Sequence, residues 1–334
     1  MLTRITNRYI TNNFISQITQ QRNLLETARQ QISTGQRVAD PSDDPAKSGV
    51  IIQLRSTLER LNQHKDRISL ATGTLVQQEQ TLNSAHDIMV RAKELATQAA
   101  NGSVSTQVRN QMADEVFALR DQLVALGNTK YDGRYIYGAA NDDSPPFVAD
   151  SYTVPATGSE SIRYVYEPTA ADGGQTTREV TITDSEKIRV NTPGDQVFSG
   201  GIAALEQLGR AMKGFRTTID GGTGLPDGGG TAYTFPGDQA QQLALIQSMI
   251  DEIEESRAGD ISNERSSVGT RLAQADQATQ SLEALILNTE QTRAALQDID
   301  ILSAASNLAA LQTNLEALLA AGARVNQLSL LNFI

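Results

Sequence analysis

Residues 46–100 read AKSGVIIQLRSTLERLNQHKDRISLATGTLVQQEQTLNSAHDIMVRAKELATQAA. Leu54, Leu61, Ile68, Leu75, Leu82, Met89 and Ala96 recur every seventh residue through this stretch, and Ala71, Ala85, Ala92 and Ala99 follow three residues behind members of that row. An apolar repeat of seven keeps one stripe of a helix facing its partner in a left-handed bundle. No proline falls between Ala46 and Ser144. At about 1.5 Å of rise per residue the segment predicts a helix roughly 80 Å long. Asn101-Gly102 ends it. A shorter helix over Thr106–Gly127 is expected to return alongside, with Val108, Met112, Val116, Leu119 and Leu123 inward.

Upstream, Thr3–Ser33 predicts another helix. Ile18, Leu25 and Ile32 hold a seven-residue row, with Phe14 and Ala28 at intervening seam positions. Gly35 follows as a C-terminal cap. The turn after it ends in Asp43-Asp44-Pro45, where Asp44 accepts from the free N–H groups of the next helix and Pro45 fits its first position.

Downstream the chain changes character. Seven of the nine prolines lie between Pro145 and Pro236, and eleven of the 15 aromatic residues lie between Tyr131 and Phe235. Proline and glycine break long helices, while aromatic and β-branched residues suit strands, so this segment reads as β-rich. Ser161–Tyr166, Arg178–Thr183 and Lys187–Asn191 are candidate strands, and a turn around Gly173-Gly174 joins the first two. Ile202–Ile219 predicts a short helix and Gly221–Gly230 a surface loop. Helix returns after Gly237-Asp238, carried first by Leu243, Ile246, Ile250 and Ile253. Val268, Ala275, Leu282, Thr289 and Leu296 then give a seven-residue row. Beyond Asp300 the seam continues through Leu308, Leu311, Leu315, Leu318, Gly322 and Val325, with Leu328 beyond them. From Ile301 to Ile334 the only charged residues are Glu316 and Arg324. So apolar a helix requires a partner surface.

The expected fold is mainly α with an inserted β-rich domain, the two termini forming a long antiparallel helical bundle or coiled coil. Three domains are expected: 1–44 with 295–334 as a terminal coiled coil, 45–147 with 237–294 as a helical bundle, and 148–236 as an exposed β-rich domain. Phe14, Ile18, Leu25 and Ile32 with Leu308, Leu311, Leu315, Leu318, Val325 and Leu328 make a two-helix unit without a third layer. Two helices cannot bury both faces, so these residues are the candidate assembly interface.

Composition narrows the function. A net charge of −11 argues against nucleic acid and against a basic membrane-surface helix. Cysteine is absent, which excludes disulfides, thiolate metal sites and cysteine nucleophiles. The two histidines, His64 and His86, fall on one helix roughly 33 Å apart and cannot share a metal within the chain. Asp43-Asp44 and Asp142-Asp143 are paired carboxylates with no other ligand-like residue spaced around them. The loop Gly221–Gly228 lacks the Gly-Lys-Ser/Thr ending of a phosphate cradle. Neither a catalytic set, a metal site nor a cofactor site is expected, so the chain is not read as an enzyme. No stretch has the form of a cleaved signal or a membrane span. The chain is therefore expected to stay in the cytoplasm or leave by a route without a cleaved signal. Met1–Leu25 holds Arg4, Arg8 and Arg22 and no acid. That is either chance in a short window or an uncleaved export signal.

Three runs carry a family resemblance. Gln31-Ile-Ser-Thr-Gly-Gln-Arg-Val-Ala-Asp-Pro-Ser-Asp-Asp-Pro-Ala46 resembles the N-terminal signature of the bacterial flagellin family, placing Gly35, Arg37, Asp43, Asp44 and Pro45 at its helix-start turn. Gly133-Arg-Tyr-Ile-Tyr-Gly138 with Pro145-Pro-Phe147, and Leu328-Ser-Leu-Leu-Asn-Phe-Ile334, are similar to its later signatures. The proline-bearing turn resembles the family's hook–filament junction members rather than its filament subunits. The resemblance implies a secreted structural protein of the flagellum, between hook and filament, exported unfolded by the flagellar type III apparatus. It implies a ring of about eleven copies, each touching its own kind. The implied partners are a hook-side junction protein, flagellin, and a cytoplasmic export chaperone on the C-terminal helix. A small flagellin forming the filament itself is the alternative.

Overall fold

The computed structural model describes residues 2–139, 142–153, 160–167, 177–183, 186–216, 233–234 and 239–331. Seven α-helices carry the described chain: α1 (Leu2–Thr34), α2 (Pro45–Ala99), α3 (Thr106–Gly127), α4 (Ser199–Met212), α5 (Gln239–Glu255), α6 (Ser262–Gln297) and α7 (Ile301–Leu331). The mainly helical expectation is met, and α3 spans the residues its periodicity marks. The turn at Gly173-Gly174 and the loop at Gly221–Gly230 lie outside the described residues.

Two compact units make up the chain. One comprises Met1–Asn62 with Leu282–Ile334, the other Gln63–Ser281. The larger unit holds an extensive core. Ile68, Leu75, Leu82, Met89 and Ala96 of the α2 row are buried, as are the interleaved Ala71, Ala85, Ala92 and Ala99. The position of that second row between Ala71 and Ala85 is filled by Gln78. Its buried amide donates to Val190 O at 3.0 Å, tying α2 to the β segment. Val116 and Leu123 of α3, Leu205 and Leu208 of α4, Ile246 and Ile253 of α5, and Val268 and Ala275 of α6 complete the core.

The β part consists of separate two-stranded antiparallel ladders rather than one sheet. They are β1 (Lys130–Tyr131) with β2 (Arg134–Tyr135), β3 (Phe147–Thr153) with β4 (Glu160–Tyr166), β5 (Glu179–Thr181) with β6 (Lys187–Arg189), and β7 (Phe215–Arg216) with β8 (Tyr233–Thr234). Each predicted strand is present, as β4, β5 and β6, and β1, β2, β3, β7 and β8 are additions. Phe147 anchors β3. Its N–H donates to Asn128 Oδ1 (2.9 Å), while Asn128 Nδ2 donates back to Phe147 O (2.8 Å). Its ring lies tilted against Tyr166 and edge-to-face with Phe198, which in turn meets Tyr137 edge-to-face.

Helix α4 ends at Met212, short of the expected Ile219, where Gly214 turns the chain with φ +83°. Because α4 is buried nearly all round, its polar side chains need internal partners. Glu206 accepts from both Arg120 and Arg210, and Arg120 also reaches Asp121. Burial and the neighbouring Arg120 charge hold the Arg210 guanidinium down to about 10. A π-helical segment, Ser256–Ile261, joins α5 to α6.

Two inward assignments are corrected. Val108 is exposed and Met112 only half-buried. Arg109 takes the interior place instead. Its guanidinium donates to Ala99 O (3.3 Å), which the end of α2 leaves free, to Val104 O (3.1 Å) in the α2–α3 connection and to Gln242 Oε1 (3.1 Å) on α5.

Candidate functional site

The smaller unit is built around the turn at residues 35–45. Helix α1 stops because Gly35 adopts φ +70°, a left-handed conformation that costs glycine little. The chain then runs against the end of α6. Arg37 N donates to Gln297 O (2.7 Å), Val38 N reaches the same oxygen (3.3 Å), and Ile299 N donates to Gly35 O (3.0 Å). The Arg37 guanidinium donates to Leu296 O (2.9 Å), so one residue caps the C-terminal carbonyls of α6 with both main chain and side chain. Gln36 pairs with Asp298 in an antiparallel bridge. Sequence reading singled out Arg37 through the signature alone. The geometry gives it a physical task, joining N-terminal and C-terminal chain segments.

The two acids of the turn work separately. Asp43 Oδ2 accepts from the N–H groups of Ala39 (3.0 Å) and Asp40 (2.9 Å) and fixes the loop. Asp44 Oδ1 accepts from Lys47 N (3.1 Å) at the start of α2, where Pro45 is the first helical residue. Hydrogen bonds from the Lys47 side chain and main chain hold the Asp44 carboxyl below its ordinary value. Asp300 does the same for α7. It accepts from Leu302 N (3.0 Å) and Ser303 Oγ (2.8 Å), which hold its carboxyl low.

Helices α1 and α7 pack along each other. Leu25 is buried, and Phe14, Ile18, Ile32, Leu308, Leu311, Leu315 and Leu318 are all half-buried. Val325 and Leu328 continue along the α7 backbone, and their side chains lie outside the described residues. The Phe14 ring lies against Gly322, filling the space a Cβ would take there. Beyond this seam little is covered. Among the described residues the buried apolar side chains of the smaller unit are Leu25, Ala28, Val38, Ile51 and Leu282. Ile15, Leu24, Leu285, Leu287, Ile301 and Leu319 are exposed, and Leu302 is 82 % exposed. Isolated exposed leucines are ordinary, but so many on a unit with so small a core make this surface the candidate interface.

The remaining candidates lie in the larger unit. Asp142 accepts from Arg134 and Arg178, each at 3.1 Å, at the edge of a cleft of about 340 Å³ lined also by Arg67 and Tyr131. His64 is buried and His86 half-buried. Among the described residues no group of three His, Asp or Glu side chains is placed to hold a metal ion, and no helix is long and apolar enough to cross a membrane.

Comparison with known proteins agrees with this geometry. The profile of the bacterial flagellin N-terminal helical region matches residues 5–142, and that of the C-terminal helical region matches residues 250–334. Flagellar hook-associated protein 3 of Escherichia coli is 28 % identical over 170 residues, covering 51 % of this chain and 48 % of that protein. The protein of the same name from Salmonella typhimurium is 32 % identical over 119 residues, covering 35 % and 38 %. The chain thus spans about half or less of the length of these relatives. The crystal structure of FlgL from Bacillus cereus matches with a TM-score of 0.52 at 21 % identity, over 72 % of this chain and 99 % of that one. That of FlgL from Xanthomonas campestris gives 0.54 at 17 %, over 73 % and 99 %. Matched at both ends, and with the two matched ends joined at the Arg37 turn, the chain belongs to the bacterial flagellin family.

Proposed function

We propose that the chain is a structural adaptor of the bacterial flagellum, joining hook to filament, with no catalytic role. The uncovered apolar surface of the α1–α7 unit carries this reading. Such a surface is costly in water and favourable once neighbouring subunits enclose it. The relatives named hook-associated protein 3 and the proline at the first position of α2 support a junction rather than a filament subunit.

On this reading the chain leaves the cell unfolded through the flagellar export apparatus, and its terminal helices order on assembly. Polymerisation is then the step that repays the entropy of ordering them. The same low-charge face of α7 is covered by an export chaperone inside the cell, and outside it by other copies, by a hook-side protein and by flagellin. The smaller unit becomes the inner tube, the helical part of the larger unit an outer layer, and residues 148–236 the exposed surface.

A clean gene deletion examined by electron microscopy, with an assay of the culture medium, tests this. Bare hooks with unpolymerised flagellin in the medium are expected. Bare hooks without flagellin in the medium would make the chain the filament subunit. Normal filaments would remove it from the flagellum's essential structure.

A further inference from the structure

Asn101-Gly102 is the single Asn-Gly pair in the chain, and it forms the exposed corner between α2 and α3. Its hydrogen bonds are arranged around a reaction. Asn101 Oδ1 accepts from both Ser103 N (3.1 Å) and Ser103 Oγ (2.9 Å), which draws electron density away from the side-chain carbon Cγ. The same ring folds the side-chain amide back over its own following backbone. Asn101 O accepts from Val104 N at 3.1 Å. That bond polarises the peptide whose nitrogen belongs to Gly102 and makes the Gly102 N–H more acidic. Among the described residues this N–H has no acceptor, and glycine presents no Cβ to hinder it. Electrophile and nucleophile are adjacent, both polarised, and open to water.

We propose that Asn101 is a site of spontaneous backbone-assisted deamidation, promoted by the fold. Gly102 N attacks Asn101 Cγ and loses its proton. The N–Cγ bond forms, the Cγ–Nδ2 bond breaks, and ammonia leaves, giving a five-membered imide. One water then opens either imide carbonyl, yielding aspartate or β-linked isoaspartate at position 101. Asparagine plus water gives the acid plus ammonia, with no other reactant. The product matters at this place. It sets a negative charge just past the C-terminus of α2, where the helix dipole disfavours it. The β-linked form also lengthens the main chain by one carbon in the corner that Arg109 holds through Ala99 O and Val104 O. The α2–α3 corner therefore carries an age-dependent change in charge and geometry.

The test is incubation of the full-length chain in mildly alkaline buffer, followed over time by peptide mapping and mass spectrometry at Asn101. The folded chain is expected to convert at least as fast as the same chain in concentrated urea. Ser103→Ala, which removes only an exposed hydroxyl, is expected to slow folded-state conversion several-fold without changing the urea rate. Gly102→Ala is expected to slow both. If Asn101 persists in the folded chain while the urea sample converts, the corner protects the pair and the proposal is overturned. Equal rates for Ser103→Ala and wild type in the folded state would overturn it as well.

Discussion

Gly322 lies where the Phe14 ring crosses α7, and any Cβ there meets the ring. Small residues at helix seams allow this close approach, and adding a methyl to such a place forces side chains off their rotamers or pushes the helices apart. Gly322→Ala should therefore weaken the α1–α7 pairing by about 1–3 kcal/mol. Replacing Phe14 by Leu in the same chain should recover most of that loss, because the ring and not the helix backbone is the obstacle. Amide exchange along α7 reads both effects. A Gly322→Ala chain with wild-type exchange would mean that Phe14 moves aside freely. Gly35 differs, because its requirement is the positive φ that ends α1 and turns Arg37 onto Leu296 O.

At the scale of elements, two helices begin on ionised caps. Asp44 starts α2 and Asp300 starts α7, and the folded structure holds both carboxyls below their ordinary value of 3.8. A depressed carboxyl contributes stability that is fully present above its unfolded value and is lost as the pH falls through the lower folded one. Acidification below about 3.8 should therefore loosen the starts of α2 and α7. A chain carrying Asp44→Asn and Asp300→Asn keeps an oxygen acceptor without the charge, so its helix loss should depend less on pH across that interval. Parallel acid titrations by circular dichroism decide it. Superimposable curves would assign the acid sensitivity to other carboxylates. These caps also show how much the sequence discloses. Asp44-Pro45 announces a helix start by residue type alone, and the α2 row reads directly as a buried face. By contrast, Phe147–Thr153 shows no clean alternation, because Asp150 and Ser151 interrupt it, and it is a strand through pairing with β4. The burial of Arg109 is equally silent in the pattern. Hydrophobic periodicity does not register a guanidinium that turns inward to satisfy carbonyls. The α1–α7 seam was legible because apolar spacing alone specifies it, whereas the bonds from Arg37 to α6 span distant parts of the chain and emerge only in the fold.

For the whole molecule, the decisive asymmetry is where the buried surface lies. The larger unit buries its α2, α3, α4, α5 and α6 rows within Gln63–Ser281, whereas the smaller unit buries few apolar side chains and exposes many. Stability follows apolar burial, so the larger unit should hold its fold without help from the termini. Deleting Leu308–Ile334 removes most of the α7 seam and none of the larger unit's core. The truncated chain should show the wild-type cooperative melting transition, carried by the larger unit, and should fail to enter flagella when it replaces the full chain in cells. Retained incorporation would show that α7 is dispensable for assembly, and the inner-tube assignment would fall. A lowered melting transition would show instead that the terminal helices stabilise the larger unit, which its own core gives no reason to expect. The combination of unchanged melting and lost assembly is what a molecule requires if one part is folded before incorporation and the other is completed by its neighbours.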